Sequence, residues 1–230
     1  MTVRSRTLSV FLLIFAASVL GCVRPEEPAQ EYRGESSHIE HRAERPAGLS
    51  HVFVEGTEEE VIRAVQDGTN FAGSPDLEWF SALSDIWYER ETKHKDFRWS
   101  VLKGPRVKVE IASQLAQAYR NGLMLLNTDD FRTFALENYA DRDNRVARSS
   151  VVLLGELGDA RDIELLTQLA QNGAGGRHLF KESVTALSYM CSPEAREAIE
   201  ALVSQAAEED RSFANSLLAN REHVLRSWCR

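Results

Sequence analysis

The stretch RVARSSVVLLGELG, residues 145–158, decides the fold because similar stretches begin at Arg106 and at His178. Apolar residues recur in all three at the spacing of three and four that is typical of an amphipathic α-helix. Self-similarity at a fixed period is the sequence signature of a repeat architecture. Three columns of the alignment are apolar or small in every copy: Leu115, Leu154 and Leu187; Ala116, Gly155 and Ser188; Ala112, Val151 and Val184.

A second helical pattern follows each of these stretches, at residues 130–139, 160–171 and 193–205. We therefore expect each copy to pair with the helix after it in an antiparallel hairpin. Hairpins that cannot bury an apolar face alone stack on their neighbours. The sequence predicts an all-α protein, a short α-solenoid of stacked hairpins that ends in a closing helix near residue 211. An irregular helical bundle is the alternative, because three units are visible.

The best-defined copy resembles a known repeat. Residues 146–160, with Arg148, Leu154-Gly155 and Leu157-Gly158-Asp159, are similar to HEAT-like repeats of the phycobilin-lyase type. The resemblance extends from residue 106 to about residue 205. It implies a curved stack whose second helices line a concave surface for a protein or peptide. The contact residues that it suggests also fit ordinary solvated helix faces: Arg132, Glu137, Arg161, Glu164, Gln168, Arg196, Glu197 and Glu200.

Residues 51–105 form a predicted N-terminal helical capping region ahead of repeats that occupy residues 106–230. Thr57-Glu58-Glu59-Glu60 has the capping-box pattern that starts a helix, and Gly68 is expected to end it. Ser74-Pro75-Asp76 predicts the start of another helix, and residues 95–103 a short one. The aromatic residues of this region are expected to serve packing: Trp79, Phe80, Trp87 and Trp99.

The amino terminus has the pattern of an export signal. Arg4 and Arg6 precede an apolar run over residues 8–20, which is shorter than the roughly 20 residues of a membrane-spanning helix. Val19-Leu20-Gly21-Cys22 resembles the bacterial lipobox. That resemblance implies a signal peptide at 1–21, an acylated Cys22, and an anchor in the bacterial cell envelope that faces the periplasm, with Val23 favouring the outer membrane. An ordinary secretory signal is the alternative.

Residues 22–50 contain the lipidated Cys and a predicted disordered tether. Pro25, Pro28 and Pro46 lie among many charged residues, and few large apolar side chains are present. Such a segment buries too little apolar surface to offset the entropy lost on ordering. We expect it to hold the helical domain away from the membrane.

The composition and motifs restrict the function. The chain has 230 residues and a formal net charge of -8, with no basic stripe, which argues against nucleic acid as a partner. No nucleophile elbow, zinc-protease motif or phosphate loop occurs, and we predict no catalytic residue, metal site or cofactor. The expected function is a non-catalytic scaffold or adaptor for an unknown envelope protein or peptide. An accessory subunit or lyase-like HEAT enzyme, and a pilotin-like assembly factor, are the alternatives.

Two cysteines remain if Cys22 is lipidated. Cys191 is predicted at the end of a repeat helix and Cys229 near the end of the closing helix. Stacking could join them in a disulfide bond, which an exported protein is able to keep. A Cys191–Cys229 bridge and two separate thiols are equally compatible with the sequence.

Overall fold

The computed structural model describes the backbone of residues 48–68 and 77–228, and the side chains of residues 51–68 and 77–221. These residues are all-helical, and their only β-type pairing is an isolated bridge between Ala174 and Arg177. The predicted signal peptide, Cys22 and the tether up to residue 47 lie outside the described residues.

Eleven α-helices and one 3-10 turn occur in the described ranges. They are α1 (Gly48–Glu55), α2 (Glu58–Asp67), α3 (Leu77–Trp87), α4 (Trp99–Leu102), α5 (Pro105–Arg120), α6 (Thr128–Asn138), α7 (Asn144–Leu157), the 3-10 turn Ala160–Asp162, α8 (Ile163–Asn172), α9 (Phe180–Tyr189), α10 (Pro193–Gln205) and α11 (Glu208–Trp228).

Helices α2, α3 and α4 lie where the sequence predicts helices, whereas the predicted helix start at Ser74-Pro75-Asp76 lies outside the described residues. The capping box at α2 is confirmed, since the Thr57 backbone N–H donates to the Glu60 carboxylate over 2.8 Å and the Glu60 N–H donates to the Thr57 hydroxyl over 3.4 Å. Helix α1 was not predicted, and its first three residues belong to the predicted tether. Phe53 explains this helix, because its ring is buried and stacks on Trp79 at 5.5 Å between centroids.

The repeat columns are buried as the sequence predicts. The three aligned leucines, Leu115, Leu154 and Leu187, have no exposed surface. Gly155 allows a close approach of α7 to α9, since a Cβ atom at this position would lie 2.3 Å from the Ala186 Cα atom. A glycine is therefore required where these two helices meet. The small-residue column thus serves helix–helix packing.

The packing order corrects one of the three predicted hairpins, since α7 and α8 do not pack closely, whereas α5 contacts α6 and α9 packs on α10 as predicted. Helix α2 packs on α5, α5 on α7, α7 on α9 and α9 on α11. Beside this row, α3 packs on α5, α6 on α7, α8 on α9 and α10 on α11. The sequence pairs α7 with α8, but α8 packs on α9 instead. The aligned repeats show the period of the structure and contain no information on which neighbouring helix completes a unit.

Two turns between helices are well formed. Asp143 caps α7, because its carboxylate accepts hydrogen bonds from the Arg145 and Val146 backbone N–H groups. The glycine-rich segment after α8, residues 173–176, is a tight turn. Its ends are joined by hydrogen bonds in both directions between the backbones of Ala174 and Arg177. Gly173 fits there with a φ of 65°, in the left-handed region.

Within the described ranges, no helix has both the length and the apolar character needed to cross a lipid bilayer.

Candidate functional site

A buried carboxyl group lies where α5, α7 and α9 meet. Glu156, in the last turn of α7, is only 3% exposed. Its two oxygens accept hydrogen bonds from two side chains of α5: the Ser113 hydroxyl at 2.6 Å and the Gln117 amide nitrogen at 2.9 Å. The carboxyl group therefore joins two neighbouring helices of the row through side chains alone.

Arg120 completes this junction at the end of α5. Its guanidinium donates to the Gly155 carbonyl at 3.1 Å and to the Tyr189 carbonyl. It also lies 3.8 Å from the sulfur of Cys191. Positive charge at the carboxyl end of a helix is favourable because the last carbonyl groups have no partners within the helix. Arg120 thus connects the ends of α7 and α9. We name the group Ser113, Gln117, Arg120, Glu156 and Tyr189 the Glu156 cluster.

Burial controls the protonation of the Glu156 cluster. Removal from water raises the pKa of Glu156 to about 7, although the Ser113 and Gln117 hydrogen bonds and the Arg120 charge oppose this effect. The Glu110 carboxylate raises the pKa of Glu156 further. Burial lowers the pKa of Arg120, and burial together with Glu156 raises the pKa of Tyr189. The cluster therefore contains a carboxyl group that exchanges a proton near neutral pH.

A second buried carboxyl group, that of Asp85, is surrounded by cationic rather than neutral hydrogen-bond donors. Asp85, at the end of α3, is 6% exposed. It accepts hydrogen bonds from Arg90 at 2.7 Å and Lys93 at 3.1 Å, and His94 Nε2 lies 3.2 Å away. Burial alone would raise the pKa of Asp85, but these three neighbours together lower it below its ordinary value. Asp85 is therefore an ionised centre that holds the segment after α3 in place.

Several of the predicted contact residues on the second helices pair with nearby side chains. Arg132 holds the buried Asp162 through both carboxylate oxygens, with distances of 2.7 to 3.0 Å. Arg161 pairs with Asp159 and with Asp129. The remaining predicted contact residues are exposed: Glu137, Glu164, Gln168, Arg196, Glu197 and Glu200.

Two pairs among these exposed residues lie within single helices. The Gln168 amide donates to Glu164 over 3.2 Å, and Arg196 donates to Glu200 over 2.8 Å. Pairs of this kind stabilise a helix by only tenths of a kcal/mol. The eight predicted residues do not form a cluster comparable with the Glu156 cluster.

Ion pairs also connect successive helices of the row. Arg145 of α7 contacts Glu110 of α5 at 3.3 Å, and Arg148 of α7 pairs with Glu182 of α9. Lys181 of α9 donates to Glu209 at the start of α11 over 2.7 Å. These contacts lie toward the amino ends of the helices, whereas the Glu156 cluster lies at their carboxyl ends.

Cys191 takes part in a disulfide bond and lies in the turn after α9. Cys22 and Cys229 are outside the described residues, so a Cys191–Cys229 bridge stays a prediction. Among the residues that the structure describes, no group of three or more His, Cys, Asp or Glu side chains is arranged to hold a metal ion.

The sequence contains a signal for the Glu156 cluster that our sequence reasoning missed. In the repeat alignment, Gln117, Glu156 and Tyr189 occupy one column. Residues of one alignment column lie next to one another when the repeats stack, whether they are apolar or polar. A carboxyl, an amide and a phenol in one column thus indicate a polar contact between helices.

No protein-family model, curated protein or solved structure matches this chain.

Proposed function

We propose that this protein is a non-catalytic, protein-binding scaffold of the bacterial cell envelope, built as a short α-solenoid of HEAT-like repeats and anchored by a lipid on Cys22. The observation that carries the proposal is the side-by-side packing of α5, α7 and α9 with matching residues in matching places. Three successive helices in one register provide a continuous surface, and such surfaces bind extended partners in repeat proteins.

The contacts between repeats support the α-solenoid. Leu115, Leu154 and Leu187 are equally buried, and Gln117 and Glu156 of one column are in direct contact. Helices α2 and α3 pack on α5 in the way that α5 and α6 pack on α7. The same arrangement therefore continues into the region that we expected to form only a cap.

We assign the partner-binding surface to the row of first helices rather than to the second helices. In α7, Arg145, Ser149 and Val152 are partly exposed and recur at helical spacing on the side that ends at Glu156. We name these three residues the α7 stripe. Helix α6 does not pack closely on α8, so the second helices do not form an equally continuous surface.

The assignment is tested by photo-crosslinking in the bacterium that carries the protein. A photoreactive residue is placed in the α7 stripe, at Val152, and at the matched positions Glu137 and Glu164 on second helices. We expect a crosslinked partner from the α7 stripe that is lost in Ser149→Arg. Crosslinks from Glu137 and Glu164 alone would contradict the assignment, and no crosslinked protein from any position would contradict the scaffold.

The anchor has a separate test. Metabolic labelling with a fatty acid should label the protein and leave it in the membrane fraction, and Cys22→Ser should abolish both. An unlabelled wild-type protein would exclude the lipid anchor. Circular dichroism of each variant confirms that the helices are retained.

A further inference from the structure

The carboxyl group of Glu156 is buried between helices without an ion-pair partner in the described part of the chain. Its hydrogen-bond donors, Ser113 and Gln117, are both neutral. Buried carboxylates are normally paired with a cation, because an ionised group that leaves water loses a large hydration free energy. The absence of such a pair distinguishes Glu156 from Asp85 and Asp162.

The hydrogen-bond geometry suits the neutral acid. One oxygen of Glu156 accepts a hydrogen bond from the Gln117 amide. The other lies 2.6 Å from the Ser113 hydroxyl, which is able to accept a hydrogen bond as well as to donate one. A protonated Glu156 therefore keeps both bonds to α5 and carries no charge. The ionised form keeps both bonds but buries a charge that has no ion-pair partner within the described residues.

Within the described part of the chain, the charged and titratable groups coupled to the Glu156 carboxyl group lie on α5 and α9. Helix α5 contributes Arg120, which favours the ionised form, and Glu110, which disfavours it. Helix α9 contributes Tyr189, whose pKa is raised in part by Glu156. Arg120 is bonded to the carbonyl groups of Gly155 and Tyr189. An ionised Glu156 attracts the same guanidinium and so competes with these two carbonyl groups.

We propose that Glu156 is a proton-operated switch at the junction of α5, α7 and α9. The neutral acid holds the three helices together, and its ionisation draws Arg120 away from the carboxyl ends of α7 and α9, which then loosen. The signal is the pH of the surrounding solution. The switch is a property of the fold and does not depend on the proposed scaffold function or its partner.

Amide hydrogen exchange of the full chain tests the switch, with rates corrected for the intrinsic effect of pH. The informative amides are those of Gly158 and Met190, which bond to Leu154 and Leu187 at the ends of α7 and α9. Between about pH 5.5 and about pH 8.5, local opening at these amides should increase about thirtyfold. Glu156→Gln should abolish the increase, and the exposed control Glu137→Gln should retain it.

Two results would overturn the proposal: exchange at these amides that does not change with pH in the wild type, or an increase that persists in Glu156→Gln. If Glu156→Gln fails to fold, infrared difference spectra of the wild type provide the test instead of the exchange measurement on the variant. They should show a protonated carboxyl C=O stretch that disappears through neutral pH. A spectrum without this change would equally exclude the switch.

Discussion

Asp85 and Glu156 both expose little surface, yet their protonation differs, because Glu156 lies among the helices of the row and Asp85 faces partly exposed cations. Asp85 is 6% exposed and Glu156 is 3% exposed. Around Asp85, Arg90, Lys93 and His94 lower the pKa below its ordinary value. Around Glu156, two neutral donors do not offset burial, and the pKa rises to about 7. The loss of hydration on burial and the charge of the neighbours together decide whether a carboxyl group is a structural anion or a proton-binding site.

The two carboxyl groups also differ in what they connect. The partners of Asp85 follow it within nine positions of the chain, so that they fix one local segment. The partners of Glu156 lie about forty positions away and belong to another helix. A change of charge at Asp85 thus affects one turn, whereas a change at Glu156 affects the packing of successive repeats.

The largest effect is expected when a third buried carboxylate loses its cation. Arg132→Met leaves Asp162, which is 1% exposed, without its two-oxygen partner. Stranding a buried charge costs about 3–5 kcal/mol in the free energy of unfolding. Urea denaturation measures the loss. The control Arg161→Met removes an exposed pair and should cost less than about 1 kcal/mol. Equal losses for both variants would show that burial of the carboxylate is not what matters.

The second-largest effect is expected when the free energy of unfolding of the wild-type protein is measured as a function of pH. Because Glu156 has a folded-state pKa near 7, above its ordinary 4.5, the folded state binds its proton more tightly than the unfolded state. The contribution of Glu156 to the free energy of unfolding is therefore fully present below about pH 4.5 and is lost as the pH rises through 7. Urea denaturation should show a loss of about 2 kcal/mol between about pH 5.5 and about pH 8.5. Glu156→Gln should remove this slope, and an unchanged slope would refute the assignment.

The contribution of Asp85 to stability should depend on pH in the opposite direction. Its lowered pKa means that the ionised form stabilises the fold above the ordinary value of 3.8, and that this stability is lost as the pH falls through the folded-state value. Asp85→Asn should therefore cost about 1.5 kcal/mol at neutral pH and less in acid. Thermal unfolding followed by circular dichroism measures both, with the exposed Asp129→Asn as control. A stabilising effect at neutral pH is the contrary outcome.

The smallest expected effect concerns one donor to Glu156. Ser113→Ala removes the hydroxyl at 2.6 Å while Gln117 remains. The loss should be about 1 kcal/mol, the usual value for one hydrogen bond. It should be larger at high pH, because the ionised carboxyl group depends more on its donors than the neutral acid does. A loss that is the same at every pH would mean that Ser113 contributes packing only.

Much of the helical fold could be predicted from the sequence because it depends on local patterns. The columns that contain Leu115, Leu154 and Leu187 repeat at helical spacing, and their burial follows from that spacing. The pairing of α8 with α9 could not be predicted, since consecutive helices of similar pattern are able to pair in either direction. Helix α1 was missed because its main anchor, Phe53, contacts rings that are distant in sequence.

The candidate site was less accessible to sequence reasoning. Glu156 lies in an apolar stretch where a single acid gives no sign of its burial. Its role depends on Ser113 and Gln117, which approach only when the repeats stack. Arg132 was assigned to a binding surface because the helical pattern does not distinguish an exposed cation from one that pairs with a buried carboxylate. Its partner, Asp162, lies 30 positions away and comes close only in the folded protein.

The most direct test of this account is a carbon-13 NMR titration of the glutamate side-chain carboxyl groups in the folded wild-type protein, assigned with Glu156→Gln. The Glu156 Cδ resonance is expected to titrate with a midpoint near pH 7, well above the ordinary glutamate value of 4.5. A Glu156 midpoint at or below 4.5 would show that this buried carboxyl group is an ordinary anion and would contradict the account.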